Sequence, residues 1–114
     1  MVENLLTDKP DETMELIQIL LPLRDDKGQS FPPELFDKLA KELTEKFGGV
    51  TSFTRTPAEG RWRDGHATTH DDIVVIEVMA DNVEREWWTL LRARLEHDFQ
   101  QDEVVIRRQE TERL

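Results

Sequence analysis

The sequence feature that most constrains the fold is the segment DIVVIEVMA, residues 72–80, whose apolar run is interrupted only by Glu77. Alternate residues of a β-strand point to opposite sides of the sheet, so this strand would be apolar on both sides. Such a strand belongs in the interior of a sheet, with a neighbour on each edge. We therefore predict that residues 72–80 form a central strand.

Three other segments also have strand patterns. Residues 14–23 are apolar on both sides and predict a strand buried on both faces. Residues 50–57 are rich in β-branched and aromatic residues, but Pro57 lacks a backbone N–H and limits this strand to a sheet edge. Residues 103–108, EVVIRR, predict a fourth strand.

The first predicted helix has clear signals at both ends. Pro33 suits the first helical position, and Gly48 and Gly49 can adopt the left-handed conformation that ends a helix. Apolar residues recur along it at every fourth position, while lysines and glutamates occupy the other side. This pattern predicts an amphipathic helix that covers one face of the sheet.

A second helix is predicted from Asp81, which forms a capping box with Glu84, to about residue 100. Its buried stripe is expected to consist of Val83, Trp87, Leu91, Leu95 and Phe99. Adjacent residues on a helix differ by about 100°, so Trp87 and Trp88 cannot both point at the centre of one core. We expect Trp88 at the margin.

The resulting order is strand, helix, strand, strand, helix, strand. The preference for right-handed crossovers favours a four-stranded antiparallel sheet with both helices on one face and with the first and third strands central. This is the ferredoxin-like α+β sandwich, βαββαβ. We expect residues 1–12 to be a flexible N-terminal tail and residues 13–114 to form a single domain.

This architecture leaves one face of the sheet without helices. That face is expected to carry Leu16, Gln18, Leu20, Ile73, Val75, Glu77, Met79, Val105 and Arg107. Leaving it in water would cost on the order of several kcal/mol at roughly 25 cal/mol per Å². We predict that a second subunit covers it in a homodimer; the alternative is that the arm 58–71 folds back across it, which would allow a monomer.

Glu77 is the exceptional residue of this face, because a carboxylate in an apolar setting must pair, become protonated or contact water. Gln18 is its expected neighbour on the adjoining strand, and Arg55 is a candidate partner on the other side. One interpretation is a structural ion pair at a dimer contact. The other is an acid or base in a pocket, which makes Glu77 the candidate catalytic residue.

The arm contains Trp62, which could form an aromatic wall. We therefore expect a homodimer that binds a small ligand, with an anion as one option, between the sheet face and the arm through Arg55, Trp62, Glu77 and Gln18. An alternative is a non-catalytic protein-interaction module that docks a partner through the same face or through the Trp88 margin. A third interpretation is a nuclease that holds a divalent ion with Asp71 and Asp72.

Composition and spacing argue against other classes. The formal net charge of -10 repels nucleic acid, and the chain has no cysteine for thiolate metal sites or disulfides. His66 and His70 would be about 13 Å apart on an extended arm, too far for one ion. We expect no metal, cofactor or membrane segment. The N-terminal residues lack the features of a secretory signal, which predicts a cytoplasmic protein.

The segments LPLRDDKGQSFP, FGGVTSFTRTPAEGRW, DDIVVIEVM and WWTLLRARLE, taken together, resemble a group of short bacterial proteins to which no activity is assigned. The resemblance covers about residues 16–108 and implies no catalytic residue. In architecture the predicted fold is also similar to dimeric α/β-barrel proteins, whose sheets pack face to face around small-molecule pockets. That similarity is architectural and implies no particular chemistry.

Overall fold

A computed structural model describes residues 13–55 and 72–114. The elements are β1 Thr13–Pro22, α1 Pro33–Phe47, β2 Thr51–Arg55, β3 Ile73–Ala80, α2 Arg85–Asp98 and β4 Val105–Glu112. The predicted tail 1–12 and the arm lie outside the described residues. Neither helix in the part of the chain that the structure describes is long and apolar enough to cross a membrane.

The four strands form one antiparallel sheet in the order β2–β3–β1–β4. β1 and β3 are therefore central, as predicted, and pair over eight positions from Glu15 opposite Ala80 to Pro22 opposite Ile73. The element order and this strand order are those of the ferredoxin-like α+β sandwich. The prediction of the fold class is confirmed.

The hydrophobic core lies between the sheet and the two helices. Alternate residues of the central strands are buried there, and both helices place leucines against them. The main core residues are Ile17, Ile19, Leu21, Val74, Ile76, Val78, Leu39, Leu43, Leu91 and Leu95. Both strands thus direct one complete set of alternating side chains toward the helices, as their sequence pattern predicts.

The first helix begins and ends as predicted. Pro33 is its first residue, and Gly48 ends it in the left-handed conformation, with φ of 84°. The Gly48 backbone N–H donates to the Thr44 carbonyl oxygen at 2.8 Å, which satisfies one carbonyl of the last turn. The chain can therefore turn directly from the helix into β2, which begins at Thr51.

The start of the second helix differs from its prediction. α2 begins at Arg85, its N-cap is Glu84, and no side chain caps it. The predicted capping box from Asp81 is therefore wrong. Residues 81–84 instead connect the end of β3 to the helix, so the helix begins one turn later than the spacing of acidic residues suggests.

The buried stripe of α2 contains Leu91, Leu95 and Phe99 as predicted, but the two tryptophans have exchanged places. Trp88 is buried with 7% of its surface exposed, whereas Trp87 is only partly buried. Phe47 stacks on Trp88 at 5.5 Å between ring centroids and meets Trp87 edge-on at 5.7 Å. The expectation of a marginal Trp88 is therefore wrong, because the end of α1 provides an aromatic surface for it.

The fourth strand is longer than predicted and extends to Glu112. Its polar second half continues to pair with β1, as far as Thr13 opposite Glu112. An edge strand has one side free, so it accommodates charged residues that a hydrophobic pattern does not reveal. β4 thereby gives β1 a neighbour along almost its whole length.

Candidate functional site on the helix-free face

We use the term helix-free face for the side of the sheet that faces away from α1 and α2. Residue pairing places the following side chains on it: Leu16, Gln18 and Leu20 of β1; Thr51, Phe53 and Arg55 of β2; Ile73, Val75, Glu77 and Met79 of β3; and Val105 and Arg107 of β4. Met79 and Val105 have 40% and 46% of their surfaces exposed. Val75, between Phe53 and Leu20, is buried.

Three polar side chains cross this face in a line, which we call the polar row: Glu77, Gln18 and Arg107. They occupy paired positions on β3, β1 and β4. The Gln18 Nε2 donates to the Glu77 Oε2 at 2.5 Å, and the Arg107 Nε donates to the Gln18 Oε1 at 2.8 Å. The amide of Gln18 thus links a carboxylate to a guanidinium, which fixes its orientation.

Gln18 is the neighbour of Glu77, as strand alternation predicts, but Arg55 is not its partner. Arg55 pairs with Ile73, whereas the β2 residue opposite Glu77 is Thr51. Four residues of strand separate the two positions, about 13 Å. The expected Glu77–Arg55 pair is therefore wrong, because the β2–β3 register displaces the arginine. Arg107 supplies the positive charge of this row, and the alternation of β4 already indicated its face.

An open groove with a volume of about 630 Å³ lies beside Glu77. Leu16 and Met79 form apolar walls, and the connection from α1 to β2 borders it. Gly48 and Gly49 leave this border without side chains, and a Cβ added at either would meet no other atom within 4 Å. We call this concavity the Glu77 groove. Its size is in the range of small-molecule sites.

The Glu77 groove lies toward Met79 and the end of α1, on the opposite side of Glu77 from Arg55. Sequence reasoning missed the contribution of residues 47–51, because the two glycines there serve as a helix stop. Trp62, His66, His70 and Asp71 belong to the arm and lie outside the described residues.

The described residues of this site offer hydrogen-bonding groups to a ligand. Within residues 13–55 and 72–114, no three His, Asp or Glu side chains are close enough together to hold a metal ion. The Oε2 of Glu77 accepts a hydrogen bond from Gln18. No other side chain among the described residues donates to the Oε1 of Glu77. Glu77 can therefore accept a hydrogen bond from a ligand hydroxyl or amine group.

The chain matches no family model and no curated protein. Its structure is similar to that of a phage SAM lyase in complex with S-methyl-5'-thioadenosine, with a TM-score of 0.59 and 17% sequence identity over 91% of this chain and 86% of that chain. The apo form of a phage SAM lyase matches with a TM-score of 0.55 and 15% identity over the same shares. At these identities the similarity establishes a common fold.

Proposed function

We propose that this protein binds a small molecule in the Glu77 groove and that a second copy of the chain covers the helix-free face. The observation that carries the proposal is the polar row, which crosses an otherwise largely apolar surface next to an open groove. Polar groups fixed in position among apolar ones are typical of ligand sites, where they set orientation and specificity.

The chemistry of the groove favours a ligand with an apolar part and hydrogen-bond donors. Leu16 and Met79 offer apolar and thioether contacts, and the Glu77 carboxylate accepts from hydroxyl or amine groups. A nucleoside thioether has these features, and S-methyl-5'-thioadenosine is bound by a phage SAM lyase of the same fold. We therefore propose this compound class as the first to test. An anionic group would be directed toward Arg107, away from Glu77.

The charge order of the polar row supports a particular dimer. Glu77 on β3 and Arg107 on β4 lie on either side of Gln18 on β1. In the proposed dimer, the helix-free faces of two copies stack on each other. If the two-fold axis runs parallel to β1 and passes between the two Gln18 side chains, Glu77 of each copy lies opposite the partner subunit's Arg107. An axis across the strands would place Glu77 opposite its own counterpart, and the two like charges would repel. We therefore expect the first arrangement.

Isothermal titration calorimetry with S-methyl-5'-thioadenosine and with S-adenosylmethionine tests the ligand. The wild-type chain should bind at least one of them saturably. Glu77→Gln should weaken binding at least about tenfold, because it removes a charge-assisted hydrogen bond of about 1.5–3 kcal/mol. Glu110→Gln, an exposed change on the other side of the sheet, is the matched control and should leave the affinity within about twofold.

Two results would contradict the proposed ligand. One is the absence of saturable binding for both compounds at millimolar concentration. The other is equal weakening by Glu77→Gln and Glu110→Gln, which would indicate a general charge effect. A monomer that binds neither compound but forms a stoichiometric complex with another protein would favour the interaction module instead.

A further inference from the structure

A second concavity lies on the helix side of the sheet, between α2 and the edge strand β4. It has a volume of about 160 Å³. Four arginines contribute to its lining, Arg85, Arg92, Arg107 and Arg108, and no acidic residue in the described ranges does. We call it the arginine groove. It is separated from the Glu77 groove by the sheet itself.

The local structure explains why these arginines meet. Arg85 and Arg92 are seven residues apart on α2, which places them two turns apart on the same side of the helix. Arg108 approaches from β4, where strand alternation directs it toward the helices, whereas the Arg107 side chain bonds to Gln18 on the other face. The cations available to this groove are therefore Arg85, Arg92 and Arg108.

These three arginines differ in whether a carboxylate pairs with them. Arg108 donates from Nη1 to both carboxylate oxygens of Glu15, at 3.1 and 3.0 Å. Within the described ranges neither Arg85 nor Arg92 forms an ion pair, whereas Arg94 on the same helix forms a two-point pair with Glu42 at 2.6 and 3.1 Å. Among the described residues, two guanidinium groups without an ion-pair partner thus lie beside one groove, although the chain has a net charge of -10.

The start of α2 also suits an anion. Arg85 begins α2, and no side chain caps the helix, so its first backbone N–H groups retain hydrogen-bonding capacity. Trp88 and Ile106 provide an apolar part of the lining. The small volume accommodates a single oxyanion group, and the remainder of a larger molecule would extend out of the groove.

We infer that the arginine groove is a binding site for an oxyanion group, the phosphate of a phosphate monoester or a carboxylate. Guanidinium groups bind such anions through paired charge-assisted hydrogen bonds. Arg85 and Arg92 would contact the anion from α2. Arg108, which Glu15 positions, would contact it from β4. This site does not depend on the ligand proposed for the helix-free face.

Amide-detected NMR titration of the full chain tests this inference. The probes are inorganic phosphate, glycerol 3-phosphate and acetate, each compared with sodium chloride at equal ionic strength. At least one probe should produce saturable shifts at the amides of Thr89, Arg92 and Ile106. Tighter binding of glycerol 3-phosphate than of acetate would identify a phosphate site, and the reverse order a carboxylate site.

The variants separate a specific site from general charge. The double variant Arg85→Gln/Arg92→Gln changes two exposed side chains and should weaken binding at least about tenfold. Arg94→Gln, on the same helix but outside the groove, is the control and should change the affinity less than about twofold. The inference is overturned if no probe gives saturable shifts, or if Arg94→Gln weakens binding as much as the double variant.

Discussion

Two consecutive arginines of β4 serve opposite faces of the sheet. Arg107 donates to Gln18 in the polar row, and Arg108 pairs with Glu15 beside the core. Side chains in a strand alternate between faces, so neighbours in sequence meet different surroundings. Glu15 is the buried charged residue of the described core, with 8% of its surface exposed, and its carboxylate needs this partner.

Replacing Arg108 should therefore destabilise the protein more than replacing Arg107. Arg108→Gln leaves the Glu15 carboxylate without its cation, and we expect a loss of about 1–2 kcal/mol, less than for a fully buried pair because the Arg108 side chain is 46% exposed. Arg107→Gln should cost less than about 0.5 kcal/mol. Urea denaturation of both variants measures the difference, and equal losses would contradict the importance of the Glu15–Arg108 pair.

At the scale of the element, the end of α1 positions both the core and the Glu77 groove. Gly48 ends the helix in the left-handed conformation and Gly49 follows in an ordinary one. Both glycines have open space where a Cβ would lie. A difference in stability between alanine variants at these two positions therefore reflects backbone conformation and not steric crowding.

Gly48→Ala should lower the free energy of unfolding by about 1 kcal/mol, because an L residue is strained at a φ of 84°. Gly49→Ala is the matched control, and its effect should lie within about 0.5 kcal/mol of zero. Thermal and urea denaturation measure both changes. A Gly48→Ala variant as stable as Gly49→Ala would show that the left-handed cap contributes little.

The elements also show what residue patterns can and cannot predict. The boundaries of α1 follow from Pro33 and Gly48, since both residues have conformational preferences of their own. Which of Trp87 and Trp88 is buried does not follow from the sequence, because both side chains are large and apolar. It depends on the position of Phe47, which contacts both rings. Contacts between distant segments determined which tryptophan of α2 is buried.

At the scale of the whole molecule, the fold follows from two periodicities and the crossover rule, so strand order and the identity of each face were predictable. The register between β2 and β3 was not, and it separates Arg55 from Glu77. The Glu77 groove also depends on how the α1–β2 connection meets the sheet. The sequence thus indicated Glu77 and Gln18 as site residues. It did not indicate that Arg107 joins them in the polar row, or that a groove lies beside Glu77.

We propose that the helix-free face is covered by a second copy of the chain. Val105, 46% exposed on this face, and Leu90, 66% exposed on α2, are apolar surface residues that allow a matched comparison. Val105→Lys introduces a charge into the proposed contact, where desolvation would be costly. Leu90→Lys introduces the same charge on the helix side, so it should leave the association unchanged.

Sedimentation equilibrium of the wild type and the two variants over a range of concentrations measures this association. We expect twice the chain mass of 13.4 kDa for the wild type and for Leu90→Lys, and a shift toward 13.4 kDa for Val105→Lys. A wild-type mass of 13.4 kDa at every concentration, or a Val105→Lys variant that dimerises as tightly as the wild type, would contradict it.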